Sequence, residues 1–343
     1  MISIDLMQSM RSSSGNQPIT PDMVVAAGLR FLGGSPYKDV ADVLGISRES
    51  AKRVVGKFLD AVNNSEDLAI SLPNTPTELQ RCADDWSELS SAFGIYKGAV
   101  GAIDGWLACI DKPNVSNPAD YYSGHYQRYG LNVQAVCDVN LKFIYFGVVA
   151  PGKTNDARVF RRCLGLQKWL DKIPNEYFLV GDNAYPLSNK LLIPFSGAQK
   201  HAKYNRSYNF YLSQMRIRIE MAFGRLTTKW RIFCRNLDSC LEKNSLIYVV
   251  AAKLHNFVID NDNQHFQASD NPEDYCIDSF LDGGKLYNRG YLPTLPYRER
   301  VEVSSDRRHQ LLNEIKSRTM EKPIHNLICN QELDKISIYE EGE

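Results

Sequence analysis

Hydrophobic positions along the chain recur with two periods, and the switch between them divides it. From Thr20 to Leu32 the apolar spacing predicts a helix that Gly33-Gly34 ends. In the segment 35–62 (SPYKDVADVLGISRESAKRVVGKFLDAV), Val40, Val43 and Leu44 lead to Gly45. A Ser47 cap with Ser50 three residues on then opens a second apolar row through Val54, Val55, Phe58 and Leu59. Two short helices joined at a glycine form the helix-turn-helix pattern. Pro73, Pro76 and a short acidic helix over Glu78–Leu89 read as a connector, residues 66–98.

The pattern then changes to strands over Ala99–Asp111, Leu131–Cys137 and Lys142–Ala150, the last two joined as an antiparallel hairpin by a polar turn at Asp138-Val-Asn140. A helix from Asn155 to Leu170 and a strand Tyr177–Val180 follow, which predicts an α/β domain with a mixed sheet. From Ser207 the period is helical again. Leu212, Met215, Ile219, Phe223, Leu226, Trp230 and Phe233 make one stripe suited to packing on a sheet. Residues 1–17 are polar and Ser-rich and read as a disordered arm; 18–65 form the helical region, 99–262 the α/β domain, and 263–343 a partly disordered tail with a helix returning over Arg307–Lys316.

Composition narrows the class. Forty basic residues balance forty acidic ones, which excludes a uniformly basic coat and leaves room for a local patch. The eight cysteines show no CxxC pair and no zinc spacing, so they read as reduced thiols of a nuclear or cytosolic protein. No stretch reads as a secretory signal or a membrane span; the most apolar late run, 246–259, is interrupted by Lys253 and His255. His255 reads as a hydrogen-bonded core histidine.

Three carboxylates stand in positions that invite chemistry. Asp104 interrupts the apolar run AVGAIDGWLACID, where Asp-Gly is equally a hairpin signal. Asp182 closes the strand in FLVGDNAYP, at the edge where α/β sheets expose functional groups, or simply makes a turn before Pro186. Glu220 lies one position off the apolar stripe, in a row with Arg216, to which it can form a salt bridge. Carboxylates about 4 Å apart repel by roughly 4 kcal/mol at an effective dielectric near 20. A divalent Mg²⁺ or Mn²⁺, which prefers oxygen ligands and activates water, removes that cost.

The surroundings suit a polyanion. Between Lys200 and Arg235 stand nine Lys or Arg residues against one acid, Glu220, interleaved with aromatics. Lys200, Lys203, Arg206, Arg216, Arg225, Lys229 and Arg231 are candidate DNA contacts, with Arg48, Lys52, Arg53 and Lys57 on the second helix of the N-terminal pair.

The blocks GAIDG, NVQAVCDVNLKF, PGKTNDARVF, VGDNAYPL, RIEMAFGRLTTKWRIF and KLHNF, in that order, resemble the transposases and transposase-derived nucleases of the PIF/Harbinger group. The resemblance implies an RNase H-like mixed sheet of three antiparallel strands followed by parallel ones, flanked by helices. It implies an Asp-Asp-Glu triad on Asp104, Asp182 and Glu220, two bound Mg²⁺ or Mn²⁺ ions, DNA as substrate and a nuclear location. It further implies a Myb/SANT-like DNA-binding partner and a homo-oligomer. This chain departs from the pattern at Trp106-Leu107, where Thr-His is usual, at Asn155-Asp156 for His-Asp, and at Ala184 for glycine. Asp156 is either a helix N-cap, the preferred reading, or an accessory acid.

The expected activity is metal-dependent DNA cleavage, for which strand transfer would use the same apparatus. The alternative is a domesticated, catalytically silent DNA-binding or chromatin protein. A phosphatase of the haloacid dehalogenase type needs a second acid two residues after the first, and position 106 is Trp.

Overall fold

A computed structural model of the chain describes residues 19–89, 94–261 and 305–320. The expected arm at 1–17 lies outside the described residues, as does the 263–343 tail apart from its returning helix.

Three helices come first: α1 (Pro21–Leu32), α2 (Tyr37–Leu44) and α3 (Arg48–Asn64). Thr20 caps α1, and Ser47 caps α3 by accepting from the Ser50 amide at 3.1 Å. Gly45 ends α2 with φ 63°, a left-handed conformation that costs glycine nothing. Helix α4 (Pro76–Leu89) leads to the sheet: β1 (Ala99–Cys109), β2 (Tyr122–Ser123), β3 (Arg128–Cys137), β4 (Phe143–Pro151), β5 (Phe178–Val180) and β6 (Leu191–Leu192). Helices α5 (Asp156–Arg162), α6 (Leu164–Lys172), α7 (Lys203–Lys229), α8 (Leu241–Asn261) and α9 (Asp306–Ser317) complete the described chain.

The main sheet runs β4-β3-β1-β5-β6, with the two-residue β2 on the same edge of β3 as β4. β1, β3 and β4 pair antiparallel; β1, β5 and β6 pair parallel. That order, with helices on both faces, is the RNase H-like arrangement expected above.

Two apolar clusters cover the two faces. The larger joins Ala102, Val133 and Val180 to residues of α1–α3, α7, α8 and α9, and the other joins Val100, Ile103 and Leu179 to α4, α5 and α6. Side chains alternate along a strand, so Asp104 shares the Ala102 face and Gly105 the Ile103 face.

The 138–143 turn explains the KLHNF block. Asp138 Oδ1 accepts from the Lys142 amide at 2.8 Å, which makes it the expected turn residue. Asn256 brackets the Phe143 backbone, accepting from its N–H at 2.8 Å and donating to its carbonyl at 2.7 Å. His255 is 3% exposed, with Nε2 2.8 Å from the Leu141 carbonyl, and burial pushes its pKa down to about 4. It is the core histidine that its apolar surroundings predict.

Several elements differ from the sequence reading, and β3 begins at Arg128 rather than Leu131. The helix expected over Asn155–Leu170 is two helices broken at Cys163 (ψ 66°), whose amide closes a short turn on the Phe160 carbonyl. α7 begins at Lys203 rather than Ser207 and stops at Lys229, so Phe233 completes the stripe from a short 3₁₀ turn, 231–234. Strand β6, two residues long, carries too little pattern to be read from sequence.

Candidate active site

Asp104 lies within β1 as a continuous strand, opposite Ala135 of β3, so the hairpin reading of Asp-Gly is wrong. In the parallel pair β1–β5 the last matched residues are Ala102 and Val180. Two residues further on each chain stand Asp104 and Asp182, past the carboxyl end of β5, where the sheet opens. Each holds one oxygen on the backbone. Asp104 Oδ1 accepts from the Gly105 amide at 2.8 Å and Asp182 Oδ1 from the Ala184 amide at 2.7 Å. Asp182 thus makes a turn as well as ending a strand.

Glu220 comes from α7, which packs its Met215, Ile219 and Ala222 stripe on the larger apolar cluster, the same side of the sheet as Ala102. Its carboxylate is 4.0 Å from the Arg216 guanidinium one turn back. Trp106, on the Asp104 face, packs on Phe223, Phe233 and Tyr248 at ring separations of 5.3–5.9 Å and fills the space beside the acid.

Asp104 feels the charges of both other acids. Burial pushes the Asp104 carboxyl up to about 7, with the charges of Asp182 and then Glu220 adding to it; the Gly105 amide and Arg216 pull the other way. Among the described residues no three His, Cys, Asp or Glu side chains gather into a metal-holding group. The oxygen-only donor set suits a hard divalent cation, which would relieve the repulsion. Arg216 is the counter-charge that the chain itself supplies.

Asp156 is not the N-cap. Asn155 fills that role, accepting from the Arg158 amide at 2.9 Å. Asp156, the next residue, turns inward on the other face of the sheet. Its Oδ1 accepts from Asn132 Nδ2 at 3.0 Å and Gln134 Nε2 at 3.2 Å. Gln134 is fully buried and also accepts from the Tyr185 hydroxyl at 2.7 Å. Burial raises the Asp156 carboxyl, the amides of Asn132 and Gln134 oppose the rise, and the charge of Asp182 adds to it. Sequence reasoning missed Asn132, Gln134 and Tyr185 as parts of the site. The signal was present in LNVQAVC, where two polar residues share one face of an otherwise apolar strand.

Among the expected DNA contacts, Arg48, Arg53, Lys57, Lys200, Lys203, Arg206, Lys229 and Arg231 are exposed, while Lys52, Arg216 and Arg225 are half-buried. Lys52 pairs with Glu49 at 2.9 Å, and Arg53 donates to Ser50 Oγ at 3.0 Å. Arg218, counted in the basic run, is buried at 5% exposure and so faces away from any track.

Residues 103–256 match the family model described as DDE superfamily endonuclease. The resemblance read from the sequence holds. The DDE match contains Asp104, Asp182 and Glu220 and ends at the Asn256 bracket. "Putative nuclease HARBI1" of Rattus norvegicus is 25% identical over 255 residues, 73% of this chain and 71% of that protein. "Protein ALP1-like" of Arabidopsis thaliana is 25% identical over 271 residues, 74% of this chain and 64% of that protein. Among solved structures, the chain is similar to a Mos1 transposase paired-end complex with left transposon end at 14% identity and TM-score 0.19, covering 65% of this chain and 83% of that one. The mariner Mos1 paired end complex with Mg shows 16% identity and TM-score 0.21, covering 74% and 78%. Likeness at that level does not reach side-chain positions; the strand order of this chain carries the fold assignment.

No helix among the described residues is long and apolar enough to cross a membrane.

Proposed function

We propose that this protein is a DNA endonuclease of transposase origin, with Asp104, Asp182 and Glu220 as its catalytic carboxylates. The observation that carries the reading is the register of β1 and β5, in which Asp104 and Asp182 follow the Ala102–Val180 pair on the sheet face covered by the helix of Glu220. The two aspartates would hold a Mg²⁺ or Mn²⁺ ion and Glu220 would complete a second site. The bound cation would supply an activated water and charge stabilisation at phosphorus. Asp156, held by Asn132 and Gln134, is the accessory acid. The exposed cations of α3 and of the 200–231 segment would follow the DNA backbone. A nuclear location, a Myb/SANT-like partner and a homo-oligomer belong to the same reading.

The test is nicking of supercoiled plasmid with Mn²⁺ by the wild type beside Asp104→Asn, Asp182→Asn and Glu220→Gln. Loss of nicking in all three variants, with DNA affinity kept, is the expected result. Equal nicking by all four proteins overturns it.

One observation favours the second reading, a DNA-binding protein that no longer cuts. The Arg216 guanidinium stands 4.0 Å from the Glu220 carboxylate, a counter-charge that the chain itself supplies in place of a cation. On that reading the wild type binds duplex DNA and does not nick it at any Mn²⁺ concentration.

A further inference from the structure

A short strand delivers Asp182. β5 ends at Val180, and the next amide, that of Gly181, donates to the Leu192 carbonyl at 2.9 Å. The chain then turns on itself: the Ala184 amide donates to Asp182 Oδ1 at 2.7 Å and the Tyr185 amide to the Asp182 carbonyl at 3.3 Å. Pro186 disfavours a helical conformation at the residue before it, so this turn does not wind on into a helix. Tyr185 is thereby tied to the carboxylate three residues back.

The Tyr185 side chain is fully buried, edge-on to Phe160 at 5.6 Å between ring centres. Gly181 gives it room, since a Cβ there would stand 3.2 Å from Tyr185 Cδ2. Its hydroxyl donates to Gln134 Oε1 at 2.7 Å, and Gln134 is fully buried as well. Gln134 Nε2 in turn donates to Asn132 Oδ1 at 3.0 Å and to Asp156 Oδ1 at 3.2 Å. Asn132 Nδ2 donates to Asp156 Oδ1 and to the Thr154 carbonyl, both at 3.0 Å. Each donor therefore meets an acceptor in one direction only. Turning the Gln134 amide over would set its oxygen against the Asp156 carboxylate, a costly mismatch in a buried site. The charges of Asp104, Asp156 and Asp182 all act on Tyr185, which stands within reach of acids from both faces of the sheet.

We propose that Tyr185 and Gln134 are positioning residues for Asp182: the chain Tyr185–Gln134–Asp156 ties the 182–185 turn to β3 and so sets how tightly the Asp104–Asp182 pair takes a divalent cation. The proposal rests on the nuclease reading, in which those two aspartates hold the ion. Tyr185 and Gln134 act through the turn and touch neither DNA nor metal. Tyr185→Phe keeps the ring and its packing on Phe160 and removes only the donor to Gln134. Loss of a hydrogen bond that orients a metal-holding carboxylate lowers metal affinity by about tenfold or more. Because Asp156 fixes the other end of the Gln134 amide, Tyr185→Phe has a smaller effect in the Asp156→Ala background, and the two faces of the sheet are coupled.

The experiment titrates Mn²⁺ onto the full chain, alone and with a DNA duplex, and reads free Mn²⁺ by electron paramagnetic resonance against the duplex alone. Fluorescence anisotropy of the same duplex in EDTA reports DNA affinity. Tyr185→Phe should weaken Mn²⁺ uptake about tenfold and leave DNA affinity in EDTA unchanged. Gln134→Met removes the same bond from its other end and should give the same loss, so the test stands if one of the two variants fails to fold. Phe160→Leu loosens the packing around the Tyr185 ring without touching the hydrogen bonds, and should lower the melting temperature while Mn²⁺ affinity is kept. An equal loss of Mn²⁺ affinity in Phe160→Leu would reduce Tyr185 to a packing role and overturn the proposal. Wild-type Mn²⁺ affinity in Tyr185→Phe or Gln134→Met, beside its loss in Asp182→Asn, overturns the positioning role and leaves the nuclease reading standing. A wild type that takes up no Mn²⁺ with or without DNA overturns both.

Discussion

Gly105 and Asp156 compete for one volume: a Cβ built on Gly105 would stand 2.4 Å from Asp156 Oδ1 and 2.8 Å from Gln134 Nε2. The glycine after Asp104 is therefore required by the network on the far face of the sheet and not by a turn. Gly105→Ala should destabilise the protein by about 1–3 kcal/mol, the usual cost of overpacking a filled site. Urea unfolding measures it. In the Asp156→Ala background the same change should cost clearly less, because the obstructing carboxylate is gone; additive losses in the double variant would refute the contact.

Asp104 should make stability fall as pH rises. Its carboxyl is raised from 3.8 to about 7 in the folded state. The folded chain therefore keeps a proton that the unfolded chain has released. The favourable contribution is complete below about pH 4 and lost as pH passes 7. Asp104→Asn removes this dependence. Without divalent metal it should stabilise by on the order of 2–4 kcal/mol at pH 8 and by almost nothing near pH 4. Denaturant midpoints at the two pH values decide it.

His255 works in the opposite direction. Its folded pKa is lowered from 6.5 to about 4. Stability from the neutral ring is full above pH 6.5 and drains away as pH falls toward 4, by on the order of 2–3 kcal/mol. His255→Gln should remove this acid-side loss and leave the opposite slope of Asp104. Because the Asp104 and His255 effects oppose each other between pH 4 and 6.5, the wild-type profile there should be shallower than that of either variant.

Asn256→Ala should cost about 1–3 kcal/mol, since it leaves the Phe143 N–H and C=O without their side-chain partner. Amide exchange at Phe143 should rise in this variant more than at Val133 in the middle of β3. Uniform exchange changes across the sheet would count against a local bracket.

Much of the arrangement was readable along the chain. The Ser47 cap, the Gly45 break, the Asp138 turn and the stripe through Met215, Ile219 and Phe223 are local, because each depends on residues within one or two turns of its neighbours. The roles of Asp156 and Gly105 were not readable. Asn155 and Asp156 are equally good caps as residue types, and only the polar pair Asn132 and Gln134 across the sheet draws the second one inward.

The order of the blocks from GAIDG to KLHNF carried the resemblance to the endonuclease family and singled out the candidate acids, and hydrophobic periodicity marked which segments are helix and which strand. Tertiary structure alone decided that Asp104 and Asp182 become neighbours, that Glu220 shares their side while Asp156 lies on the other, and that α9 returns to α7. The reason is physical. Periodicity is set by residues a few positions apart, whereas a meeting across 78 residues between β1 and β5 depends on strand register and on crossover packing, which no local stretch encodes.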